Sequence, residues 1–129
     1  MISNHITNSG APEGFDATII QKEALDGGVV HVARDAGRLQ AMRDALRFFA
    51  PDLPIFVFPA WDCLPFDRVS PNADISATRM ASLASFITKM PKNYVVLTTL
   101  SGACQRVPAR ATLKNSVFHA SVQSRVDEK

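Results

Sequence analysis

The sequence predicts an α/β domain: a three-layer arrangement in which a parallel sheet is flanked by helices. Three observations carry this expectation. Short β-branched runs alternate with longer stretches of helical periodicity. The runs at 29–33, 55–58 and 94–98 are almost continuously apolar, as strands covered on both faces are. Proline or glycine stands where the chain must turn between them. Right-handed crossovers should join the strands.

The elements follow in order. Residues 1–10 are polar and read as a loose arm. Ala11, Pro12 and Glu13 read as a helix start, with Phe15, Ile19, Ile20 and Leu25 on one apolar face; Gly14 weakens it by roughly 1 kcal/mol against alanine. Gly27 and Gly28 end that helix, and the first strand follows. Asp35 is placed to cap a second helix running to about Ala50, with Leu39, Met42, Leu46 and Phe49 along its buried side. Pro51 and Pro54 close it before the second strand. Asp74 is placed to cap a third helix whose inward positions are Ile75, Met80, Leu83, Ile87 and Met90, and Pro91 stops it. After the third strand, a short helical turn over 101–106 ends at Pro108. Residues 109–116 are polar and basic, and 117–122 alternate as an exposed strand does. The domain is expected over 11–110, with 111–129 a linker and the possible start of a further domain.

Composition sets outer bounds. A chain of 129 residues can bury one hydrophobic core, and 47% apolar with 20% charged residues is the balance of a soluble globular protein. A net charge of +2 permits contact with nucleic acid without arguing for it. Cys63 and Cys104 are far apart in sequence and form no C-x-x-C pair, so they read as reduced, partly buried thiols rather than a disulfide. No apolar run approaches the roughly 20 residues that span a bilayer. The first residues lack the layout of a signal peptide, so the cytoplasm is expected.

The segment richest in shape is 58–71, with the single Trp, three prolines and two aspartates directly after a strand. Ligands of parallel sheets sit beyond the carboxyl ends of the strands, where this loop and residues 100–108 both fall. A phosphate-binding loop needs glycines for backbone approach and a lysine for charge. No Gly-Lys dipeptide occurs, and the nearest stretch, 10–16, carries Glu13 and Asp16 where a cation is required. No G-x-G-x-x-G follows a strand. His5, His31 and His119 lie in unrelated segments, and His31 reads as a hydrogen-bonded core imidazole. Asp62 and Asp67 read as loop caps accepting backbone N–H groups, a catalytic carboxylate pair being the alternative. Their charge argues against Cys63 as a nucleophile. Arg34 and Arg38 lie to one side of the second helix's apolar face, Arg43 and Arg47 to the other. Arg68, Arg79, Arg106 and Arg110 cluster around the two edge loops, either as a patch for an acidic partner or as ordinary surface charge. Trp61 is either an interface anchor or, with Leu64 and Phe66, a plug on the core, and the plug is favoured.

In their order along the chain, Trp61, Asp62, Leu64, Pro65, Phe66, Asp67, Ser70, Pro71, Ile75, Arg79, Gln105, Arg106 and Val107 resemble the N-terminal region of bacterial transcription-repair coupling factors (Mfd). The resemblance covers roughly 10–110. It implies a degenerate RecA-like, P-loop NTPase-type fold similar to the first domain of the B subunit of the UvrABC excision nuclease. Two departures from that subunit are visible: no Walker A lysine, and no room between Pro71 and Asp74 for its DNA-clamping hairpin. By resemblance the parent releases stalled RNA polymerase at DNA lesions and recruits the UvrA protein, mainly through the following domain. Its ATP- and Mg-dependent translocase motor lies elsewhere. For this chain the expectation is a non-catalytic scaffold with no cofactor, metal or membrane contact. The loop residues are its family motif, and Arg68, Arg79, Gln105 and Arg106 are interface candidates. The alternatives are a small nucleotide-binding enzyme and a stand-alone nucleic-acid binder.

Overall fold

The computed structural model describes residues 5–64, 68–88 and 90–117. Residues 5–10 have no regular structure and are exposed. The elements are α1 (Phe15–Ala24), β1 (Gly28–Ala33), α2 (Ala36–Phe49), β2 (Ile55–Phe58), α3 (Ala73–Thr88), β3 (Tyr94–Thr99), α4 (Leu100–Cys104) and α5 (Arg110–Ser116). The strands form a parallel three-stranded sheet in the order β1-β3-β2. The α/β fold class read from the sequence is the one observed.

Successive strand residues face opposite ways, so β3 serves two cores. Val95 and Leu97 join Ala17, Ile20, Leu39, Met42 and Leu46 under α1 and α2. Val96 packs on the other face with Phe58, Leu83, Phe86 and Leu113, under α3 and α5. The second layer stops short. α3 lies over β2 and α5 lies against α3, so Val30 and Val32 of β1 remain 64% and 49% exposed. Among the described residues, the expected cover on both faces therefore holds for β2 and β3 and is incomplete for β1.

Local chemistry explains the other differences. Helix α1 begins at Phe15 because Gly14 takes a left-handed φ of 85°, a conformation that favours glycine. Gly14 is thus a cap rather than a weak interior residue, Pro12 and Glu13 precede the helix, and Ala17, Ile20 and Ala24 form its buried face. Phe15 and Leu25 are exposed. Asp35 caps α2 as expected, its carboxylate accepting the Arg38 N–H at 2.8 Å. Phe49 is partly exposed rather than buried. At α3 the cap is Asn72, whose Oδ1 accepts the Asp74 N–H at 2.8 Å; Asp74 occupies the first turn, where its charge suits the helix dipole. Met80 points outward and Met90 lies past the helix end. Thr99 Oγ1 caps α4 by accepting the Gly102 N–H at 3.1 Å. Residues 110–116, polar in sequence, form a helix that buries Leu113 against the second core. In the stretch 117–122 expected as a strand, Val117 is half-buried outside any element, and the rest lies outside the described residues. Among the described residues no helix is long and apolar enough to cross a membrane.

Candidate functional site

The site is assembled where β2 and β3 end. α3 presents an i, i+4 stripe toward the sheet, formed by Ile75, Arg79, Leu83 and Ile87. Arg79 sits in the middle of that stripe, and its residue surface is only 1% exposed. Its guanidinium lies over the Phe58 ring, 4.0 Å from the centroid, and over the Trp61 ring at 4.4 Å. Nη1 donates to the Pro59 carbonyl at 2.5 Å and to Gln105 Oε1 at 3.3 Å. The same Oε1 accepts the Trp61 N–H at 2.8 Å. Arg79 has no carboxylate partner among the described residues, and its Nε lacks a hydrogen bond. Burial pushes its pKa below the ordinary arginine value. Two aromatic faces and two oxygens hold the charge instead, and a desolvated cation–π contact contributes about 2 kcal/mol or more.

Neighbouring bonds brace this centre. Ser82 Oγ donates to the Val57 carbonyl at 2.6 Å and ties α3 to β2. Thr98 Oγ1 donates to the Phe58 carbonyl at 2.8 Å. The Asp62 carboxylate accepts the Asn72 N–H at 3.1 Å and 3.3 Å, pinning together the two ends of the loop. That is the capping role read for Asp62. Pro65, Phe66 and Asp67 lie outside the described residues.

The predicted site residues therefore divide. Trp61, Arg79 and Gln105 converge in one hydrogen-bonded stack, with Asp62 beside it. Arg79 leaves the surface patch in which the sequence placed it, because the aromatic loop folds over it. Trp61 plugs the loop through Arg79, whereas Leu64 is 76% exposed and does not pack down. Ser70, Arg68 and Arg106 are exposed, and Pro71 is half-buried. Sequence reasoning missed the inward turn of Arg79; its i, i+4 spacing from Ile75 and Leu83 was the signal.

A separate crevice, of about 420 Å³, opens between α1, β1 and α2. Glu13, Asp16, His31, Arg34 and Arg38 line it. Asp16 Oδ1 accepts the Ala17 N–H at 3.0 Å at the start of α1, and Glu13 lies 3.8 Å from Arg38. His31 is half-buried rather than a core imidazole, and its ring makes no hydrogen bond among the described residues. Burial lowers its pKa, and the nearby Asp16 charge opposes that in part. No group of three or more His, Cys, Asp or Glu among the described residues is placed to hold a metal.

No family model matches the chain. Curated proteins do. The transcription-repair-coupling factor of Rickettsia prowazekii (strain Madrid E) is 30% identical over 82 residues, 64% of this chain and 7% of that protein. That of Rickettsia bellii (strain RML369-C) is also 30% identical over 82 residues. A third, from Rickettsia conorii (strain ATCC VR-613 / Malish 7), is 26% identical over 83 residues. The chain is similar in sequence to these transcription-repair-coupling factors over 64% of its length. It spans 7% of the length of these transcription-repair-coupling factors. In physical terms, three of the separated motif pieces that resemble this family meet in the Trp61–Arg79–Gln105 stack.

Proposed function

We propose that the chain is a non-catalytic, UvrB-like scaffold domain from the N-terminal region of a bacterial, cytoplasmic transcription-repair-coupling factor. It packs against other domains of its parent and supports the module that recruits UvrA. The parent, with ATP and Mg at a motor elsewhere, acts on DNA and stalled RNA polymerase. One observation carries this reading: the ends of β2 and β3, where such sheets hold ligands, are taken up by the protein's own Arg79, Trp61 and Gln105, and among the described residues no lysine lines the crevice of about 620 Å³ that remains beside them toward β1. The residues before α1 add support. A triphosphate does not fit there, because Glu13 and Asp16 are anionic, Asp16 already occupies the helix terminus, and Glu13 engages Arg38.

The test uses purified chain with ATP, GTP or NAD, with and without Mg. The expected result is no hydrolysis and no rise in melting temperature. A rise that grows with nucleotide concentration sinks the reading, since a true ligand stabilises by mass action. Duplex DNA titrated at two salt concentrations separates the remaining alternative. A steep salt slope lost on Arg68→Ala and Arg106→Ala points to a nucleic-acid binder.

A further inference from the structure

Another crevice, of about 700 Å³, lies beside Trp61, and both cysteines of the chain line it. Cys63 is half-buried in the bend after β2, and Cys104 is exposed at the end of α4. Neither is bonded to the other. Their sequence separation hides how closely the two segments are tied. Cys63 lies two residues after Trp61 and Cys104 directly precedes Gln105, and the Trp61 N–H donates to Gln105 Oε1 at 2.8 Å. Arg79 donates to the same Oε1 and to the Pro59 carbonyl, so both strands of the junction share one anchor. A disulfide needs Cα atoms within about 7 Å and converging Cβ vectors. Both cysteines front the same crevice, Cys63 from a bend and Cys104 from the end of α4.

We propose that Cys63 and Cys104 form a redox-convertible dithiol, reduced at rest and closed to a disulfide by a peroxide. The exposed Cys104 thiolate attacks the peroxide. An S–O bond forms, the O–O bond breaks, and the released hydroxide takes a proton to leave as water. The sulfenic acid at Cys104 is then attacked by the Cys63 thiolate. Cys63 here only resolves an already activated sulfur, so the reading against it as the attacking nucleophile applies to the peroxide step, which falls to Cys104. The S–S bond forms, the S–O bond breaks, and a second water leaves after protonation. Two thiols are oxidised, one hydrogen peroxide is reduced, and two waters result. The product staples the Trp61 loop to α4 and closes the crevice. Cytosolic disulfides of this kind are transient and redox-sensing rather than structural.

The experiment treats the full chain with hydrogen peroxide, follows intact mass, and maps peptides under non-reducing conditions. The expected result is a monomer lighter by two hydrogens, a Cys63–Cys104 crosslinked peptide pair, and reversal by dithiothreitol. The melting temperature should rise by several degrees, since the bond constrains the unfolded chain. Cys63→Ser and Cys104→Ser should each abolish the crosslink. Independent oxidation of the two sulfurs, or disulfides only between chains, overturns the proposal on the wild-type map alone.

Discussion

Arg79 carries a full charge into a place where water cannot follow, and its neighbours are chosen accordingly. Replacing it with alanine removes both ring contacts and opens a cavity beside the Pro59 carbonyl and Gln105. The expected loss is about 3 kcal/mol, read as a lower urea midpoint. Arg79→Lys should also destabilise, because an ammonium cannot lie flat between two rings while donating to two oxygens. His31 makes the second residue-scale prediction. Its folded pKa lies below the ordinary value near 6.5, so below that pH the unfolded chain binds the proton more readily. Stability should therefore fall as pH drops through the range below about 6.5 and be flat above it. Glu13, Asp16, Arg34 and Arg38 face the same crevice, and the Asp16 charge opposes the trend. His31→Gln should flatten that portion of a melting-temperature profile; an unchanged slope refutes the assignment. Asp35 and Asp62 were legible as caps because short carboxylates beside turns have few other uses. Arg79 was not, because a hydropathy pattern treats a cation on an apolar stripe as an exception to be turned outward.

At the scale of elements, the junction between β3 and α4 is closely packed. A Cβ on Gly102 would stand 2.7 Å from Thr98 Oγ1 and 3.1 Å from the Phe58 carbonyl oxygen. Neither atom can yield, since the hydroxyl donates to that carbonyl. Gly102→Ala should cost about 1–3 kcal/mol through this overpacking. It should also loosen α4, which amide hydrogen exchange over residues 100–104 would detect. The strands and α2 could be read from sequence because the strands are short apolar runs, α2 has a strong helical period, and glycine, aspartate or proline stands at their boundaries. α5 could not, since it has one apolar anchor, Leu113, and its helix depends on the Phe58 and Leu83 surface it meets. The start of α1 was misplaced because the left-handed Gly14 ends the run of turns that Pro12 and Glu13 suggested.

For the molecule as a whole, the uneven cover of the sheet matters most. Val30 and Val32 belong to no core among the described residues, so the double change to threonine should shift stability by no more than about 0.5 kcal/mol in urea. A larger loss would mean that the outer face of β1 is already packed in solution. The unequal layers escaped the sequence because apolar strand residues look alike whether or not a helix lies above them. The stack at the other end of the sheet has a practical corollary. The chain has one tryptophan, and its indole rests on the buried guanidinium. Its emission is thus an internal gauge: any partner, oxidant or substitution that unseats the loop will announce itself as a colour change from a single chromophore, without a label.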